Sequence, residues 1–179
     1  KSKKGKWMTA PGTGFGMKRK FYCDGQNPFT EGTARFAATE KKAEKAFAQW
    51  IPTIPETGKY AVYVSYQTTP NSISDALYKV HHKGGCTTFY VNQKMGGGTW
   101  VYLGTFDFDE GMNDGSMVVL SNYSKEKGEI TADGVRFGGG MGNIARGKYA
   151  ESARVSGLPR WAEGAVYSMQ WYGMPDSVT

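Results

Sequence analysis

Residues 99–108 read Thr-Trp-Val-Tyr-Leu-Gly-Thr-Phe-Asp-Phe. Strict alternation puts Trp100, Tyr102, Phe106 and Phe108 on one face and Val101, Leu103, Thr105 and Asp107 on the other. β-Branched and aromatic residues dominate the stretch, so it reads as a strand. One face is large and aromatic and the other is mixed, which predicts a central strand with its aromatic face on the core. Gly104 sits mid-strand and predicts a bulge or a close backbone approach.

Similar segments lie on both sides. Residues 59–68 carry Tyr60, Val62, Val64 and Tyr66 on one face and Ala61, Tyr63 and Ser65 on the other. Residues 76–82 and 87–92 flank Lys83-Gly84-Gly85, a hairpin pattern. Strand character recurs at 20–23, 33–39, 46–51, 116–121 and 129–137. Strands about every ten residues with turn signals between them predict an all-β, antiparallel sandwich of jelly-roll type. The character changes at the glycine-rich stretch 138–142. Beyond it, 158–172 reads as one C-terminal α-helix. Pro159 stands in its first turn, Trp161, Ala165, Met169 and Tyr172 form a stripe, and Gly173 and Pro175 follow. The division expected is a basic lead-in over 1–19, a sandwich over 20–138, and a connection with the helix over 139–179.

The formal net charge is +6, yet seven lysines and arginines and no acid fall in the first 20 residues. The rest of the chain carries 15 basic and 16 acidic residues. The basic character is local, which predicts a solvated lead-in and not a nucleic-acid interface. No apolar run approaches the roughly 18 residues of a membrane span. Cys23 and Cys86 fit either one disulfide of an exported protein or two buried thiols.

Few residues carry chemistry. His81 and His82 are the only histidines, and adjacent strand positions point to opposite faces, so they do not share a metal. No nucleophile elbow and no phosphate loop is present. A non-catalytic chain is therefore expected. Asp107, Asp109, Glu110 and Asp114 gather after the 99–108 strand and could hold calcium, although their spacing matches no EF-hand and an acidic solvated turn is the commoner reading. The aromatic residues offer more. A sugar ring stacks on exposed Trp or Tyr while amides bond its hydroxyls. The residues suited to this are Trp50, Tyr63, Tyr78, Tyr90, Asn92, Gln93, Trp100 and Tyr102, set against the alternative that most of these rings fill the core.

Residues 52–137 and the tryptophan just before them carry a recurrent set of motifs: Trp50-Ile51-Pro52, Gly58-Lys59-Tyr60, Tyr78-Lys79-Val80-His81-His82, Val91-Asn92-Gln93, Gly98-Thr99-Trp100, Leu103-Gly104-Thr105-Phe106, Leu120-Ser121-Asn122 and Ala132-Asp133-Gly134-Val135-Arg136-Phe137. Together they resemble the golvesin or xanthan-lyase carbohydrate-binding-like domain. The last motif usually reads Ala-Asp-Ala-Val in that family, and Gly134 departs from it. The resemblance implies a galactose-binding-like jelly roll that serves as an accessory module of a larger exported enzyme and binds polysaccharide or peptidoglycan. A spacer without glycan binding is the alternative.

The flank resembles a different region. Residues 139–146, Gly157-Leu158-Pro159-Arg160 and Glu163-Gly164-Ala165 are similar to segments following this module in large exported proteins of Bacteroides-type bacteria with N-acetylmuramoyl-L-alanine amidase-like regions. That similarity implies an adjoining zinc hydrolase in which Glu163 would be one metal ligand and two histidines would come from outside this chain.

Overall fold

The computed structural model describes residues 6–16, 27–138 and 166–167. Eleven strands follow in order: β1 Met8–Thr9, β2 Arg35–Ala38, β3 Phe47–Trp50, β4 Gly58–Val64, β5 Ala76–His82, β6 Gly85–Val91, β7 Val101–Phe108, β8 Met117–Ser121, β9 Glu129–Ala132, β10 Val135–Phe137 and β11 Val166–Tyr167. One 3₁₀ turn, Pro28–Thr30, starts where the Asn27 side chain accepts from the Phe29 amide at 3.0 Å. Two four-stranded sheets, β11-β10-β4-β7 and β3-β8-β5-β6, enclose the core, and a three-stranded sheet, β1-β2-β9, extends it. Every strand pair is antiparallel. The expected all-β sandwich is what forms.

Alternation explains how the layers meet. Tyr60, Val62 and Val64 of β4 face Ala76, Tyr78 and Val80 of β5 and Val118 and Leu120 of β8 in one apolar cluster. Tyr60, Tyr78, Phe108 and Phe137 are the largest fully buried side chains. Burying each contributes about 1.5–3 kcal/mol. Burial also pushes the Tyr60 hydroxyl up to about 12.

The 99–108 stretch forms its strand, with two corrections. β7 lies at the edge of its sheet, not at its centre. Its faces are not those of strict alternation either. Val62 pairs with Gly104 and Tyr63 with Tyr102, so Leu103 is an extra residue and the strand bulges there. The expected bulge therefore shifts the parity. Val101, Leu103, Phe106 and Phe108 face the core, while Tyr102 turns outward. A Cβ on Gly104 would lie 2.8 Å from the end of the Phe106 ring, so only glycine fits beneath it.

The helix expected over 158–172 falls mostly outside the described residues. The two described ones, Val166–Tyr167, are β11 and pair with Phe137 and Arg136. A β-branched and an aromatic residue there extend a sheet edge, so a helix unbroken across these two positions is not what forms. Residues 20–23, Cys23 and Glu163 also lie outside the described residues.

Candidate functional site

The Ala132–Phe137 motif organises one outward face. Asp133 is buried between β9 and β10. Its carboxylate accepts from the Phe15 amide at 2.9 and 3.0 Å and from the Ser65 hydroxyl at 2.8 Å. Burial raises the carboxyl above its usual range, against the opposing pull of those bonds. The next residue explains the departure from the family pattern. A Cβ on Gly134 would come 3.1 Å from the Trp100 ring and 3.3 Å from Phe15. Trp100 fills that space and touches Phe15 and Phe29 edge-on, with centroids 4.9 and 5.4 Å apart. The buried Arg136 guanidinium lies 3.9 Å from the Tyr63 ring centroid and 5.7 Å from that of Trp100. Tyr102 packs on Tyr63 at 5.3 Å. These rings are spent on one another and on Arg136, which leaves Tyr102, 49 % exposed, as the outermost.

Three of the residues chosen for sugar contact are core residues instead. Trp50 is buried on β3. Tyr78 and Gln93 are completely enclosed. Gln93 Nε2 donates to the Tyr78 hydroxyl at 3.1 Å and to the Thr131 carbonyl at 2.9 Å, and its Oε1 accepts from the Thr131 amide at 2.9 Å. An amide so fully partnered stitches β9 to the β6 end and has nothing left for a ligand. Burial drives the Tyr78 hydroxyl far above its usual range. Asn92 is exposed, but its side chain accepts from the Lys94 amide at 3.0 Å and shapes the turn after β6. The acids proposed for calcium do not converge. Asp109 pairs with Lys83 at 2.7 Å, and the described residues hold no group of three or more His, Cys, Asp or Glu side chains able to bind a metal ion.

The other outward face is open. Register across β3-β8-β5-β6 lines up Phe47, Ser121, Leu77 and Tyr90 in one row and Gln49, Val119, Lys79 and Thr88 in the next. Tyr90 is 67 % exposed and Phe47 52 %. Tyr90 thus stands on an outward sheet face beside Thr88 on its own strand and Leu77 and Lys79 on the neighbouring one, with Gln49 on the far edge strand. The sequence could have shown this. The hairpin turn at Lys83-Gly84 pairs Tyr78 with Phe89 and Leu77 with Tyr90, so a core Tyr78 requires an outward Tyr90.

The family model of the Golvesin C-terminal domain matches residues 25–139. The chain belongs to the Golvesin C-terminal domain family. Among relatives of this golvesin-type chain, a xanthan lyase of Bacillus sp. (strain GL1) is 32% identical over 89 residues, 49% of this chain and 10% of that protein. The structure of Paenibacillus xanthan lyase superposes with a TM-score of 0.56 over 74% of this chain and 11% of that one, at 22% identity, which shows the fold. The golvesin-type chain thus spans about a tenth of the length of these relatives.

The histidines of this golvesin-type domain separate as strand geometry requires. His82 points inward and stacks on Phe106 at 4.7 Å, with Nε2 2.9 Å from the Thr87 hydroxyl. His81 points outward, with Nε2 3.9 Å from the exposed Cys86 thiol. Among the described residues Cys86 has no disulfide partner, and its thiol is exposed, not buried. Among the described residues no helix is long and apolar enough to cross a membrane.

Proposed function

We propose that this chain is a non-catalytic accessory module of a larger, exported polysaccharide-active protein and that it holds glycan on the open β3-β8-β5-β6 face. The observation that carries this reading is the exposed Tyr90 ring beside Thr88 and Lys79 on the outward face of that sheet, with Gln49 on its far edge. A ring presents an apolar face to a sugar while the polar neighbours bond hydroxyls. Membership of the golvesin family and likeness to two xanthan lyases, of which the chain covers about a tenth, support the accessory role. The partners are then a polysaccharide or peptidoglycan and an adjoining catalytic domain of the same polypeptide. The amidase-like reading of the flank and the zinc-ligand role of Glu163 belong to that adjoining domain.

A second reading makes the module a spacer that positions its neighbour and binds no glycan. The burial of Trp50 and Tyr63 and the closure of Trp100 by Phe15 and Phe29 favour it. A glycan array and co-sedimentation with insoluble peptidoglycan separate the two. The binding reading expects retention of the full chain and at least a tenfold loss in Tyr90→Ala. Retention on no glycan leaves the spacer reading.

A further inference from the structure

Beyond the end of the open sheet where β6 and β8 finish and β3 and β5 begin, four loops enclose an open cleft of ≈ 990 Å³. Lys41, Lys42, Lys45, Lys94 and Lys127 line it together with Glu40, Glu126 and Glu129. No aromatic residue lines it. The rest of its polar wall includes Thr39, Asn71 and Ser72.

Two of the three acids are already neutralised from within the wall. Glu40 pairs with Lys45 at 3.4 Å and Glu126 with Lys94 at 2.8 Å. Glu126 also accepts from the Ser74 hydroxyl. Lys41, Lys42 and Lys127 are exposed and have no ion pair among the described residues. Only Glu129 stands against their three charges. This local excess is notable because acids outnumber bases over residues 21–179. The wall is also short of a donor: Glu40 Oε1 is enclosed with no hydrogen-bond partner. An unmet buried acceptor is a place for a hydroxyl or a water.

The lysines stand on rigid supports. The fully buried Asn122 accepts from the Lys45 and Ala46 amides at 2.9 and 3.0 Å and donates to the Ala38 carbonyl at 3.0 Å, which clamps both ends of the loop that carries Lys41 and Lys42. Thr39 accepts from the Gly128 amide at 2.9 Å and donates to the Glu126 carbonyl at 2.9 Å, which ties that loop to the one bearing Lys127. The loops that carry the lysines are therefore fixed before any ligand arrives, so binding has only the lysine side chains left to order.

We propose that this cleft is a binding site for the acidic groups of a polyanionic glycan, with Lys41, Lys42 and Lys127 engaging its carboxylates or sulfates. The proposal deepens the glycan-binding reading and adds a site separate from the Tyr90 face. Fixed positive charge in an aromatic-free, hydroxyl- and amide-lined cleft suits an acidic sugar chain better than a neutral one, which has nothing for the lysines to pair with.

Affinity electrophoresis of the full chain through gels cast with polygalacturonate, dextran sulfate, neutral dextran or single-stranded DNA tests this. Variants are Lys41→Glu/Lys42→Glu/Lys127→Glu, the same three positions changed to Gln, and Tyr90→Ala. The proposal expects polygalacturonate, dextran sulfate or both to retard the wild type, with dissociation constants raised at least tenfold in both lysine variants and retardation weakened by salt. Which of the two acts tells carboxylate from sulfate. The basic residues of positions 1–20 are common to all variants, so the difference reads the cleft. Unchanged retardation in the lysine variants, or DNA retarding the wild type as strongly as the glycans, overturns the proposal. Tyr90→Ala abolishing neutral-glycan binding while the lysine variants change nothing would overturn the cleft and leave the open face standing. Failure of every glycan, charged or neutral, overturns both.

Discussion

The sandwich has two outward faces built from the same materials and used differently. On the β4-β7-β10 face, Tyr63, Trp100 and Tyr102 meet Arg136, Phe15 and Phe29, and the rings cover one another. On the β3-β8-β5-β6 face, Tyr90 and Phe47 stand on opposite edge strands with Ser121 and Leu77 between them. Aromatic content alone does not mark a ligand surface. What distinguishes the faces is whether a cation and a buried carboxylate nearby recruit the rings into a structural cluster.

Breaking the covered face should cost most. Asp133→Ala leaves the Phe15 amide and the Ser65 hydroxyl without their acceptor, and chemical denaturation should show a loss of about 2–4 kcal/mol. Retained glycan binding in this variant, once folded, would keep the two faces independent. The pH dependence sharpens the point. Because burial raises the Asp133 carboxyl, the group contributes stability at low pH that is lost as pH rises through its folded value. The stability of the wild type relative to Asp133→Asn should therefore grow as the pH falls toward the unfolded carboxylate value of about 3.9. A constant difference across that range would contradict a raised carboxyl.

Arg136→Ala should cost less, about 1–2 kcal/mol, through the cation–π contact and the packing of the arginine stem. Tyr102 should then become more solvent-exposed, read by quenching of its fluorescence. Gly134→Ala is smaller again. Trp100 and Phe15 need to move by only a few tenths of an ångström, so a loss below about 1 kcal/mol and a shift in tryptophan emission are expected. No change in emission would mean that Gly134 does not set the Trp100 position.

Much of this architecture could be read from residues. Alternation and turn spacing identified β5, β8 and the β5–β6 hairpin, and Gly104 announced the bulge. The consequence of the bulge was harder to see. One inserted residue moves Tyr102 from the inner face to the outer, and no local pattern says on which side of Gly104 the insertion lies. β11 was hidden because Val166 and Tyr167 fall inside a stretch that reads as helix, and two residues carry too little alternation to announce a strand. The site was the least legible part. Aromatic and amide side chains suit sugar contact by type, yet Tyr78 and Gln93 are as well suited to a buried hydrogen bond between sheets. Only cross-strand register separates the two roles. The lysine cleft had no local sequence signal, since its lining comes from four separate stretches spread between Ala38 and Glu129.

The smallest effect on stability belongs to the open face. Tyr90→Ala should change it by no more than about 0.5 kcal/mol, because the ring touches little. The most direct test of the two-face account is a titration of the isotopically labelled full chain, followed by NMR, with a neutral oligosaccharide of a glycan the array retains. The account predicts chemical-shift changes centred on Tyr90, Leu77, Lys79 and Thr88 that vanish in Tyr90→Ala. Changes centred on Tyr63, Trp100, Tyr102 and Arg136 would contradict it.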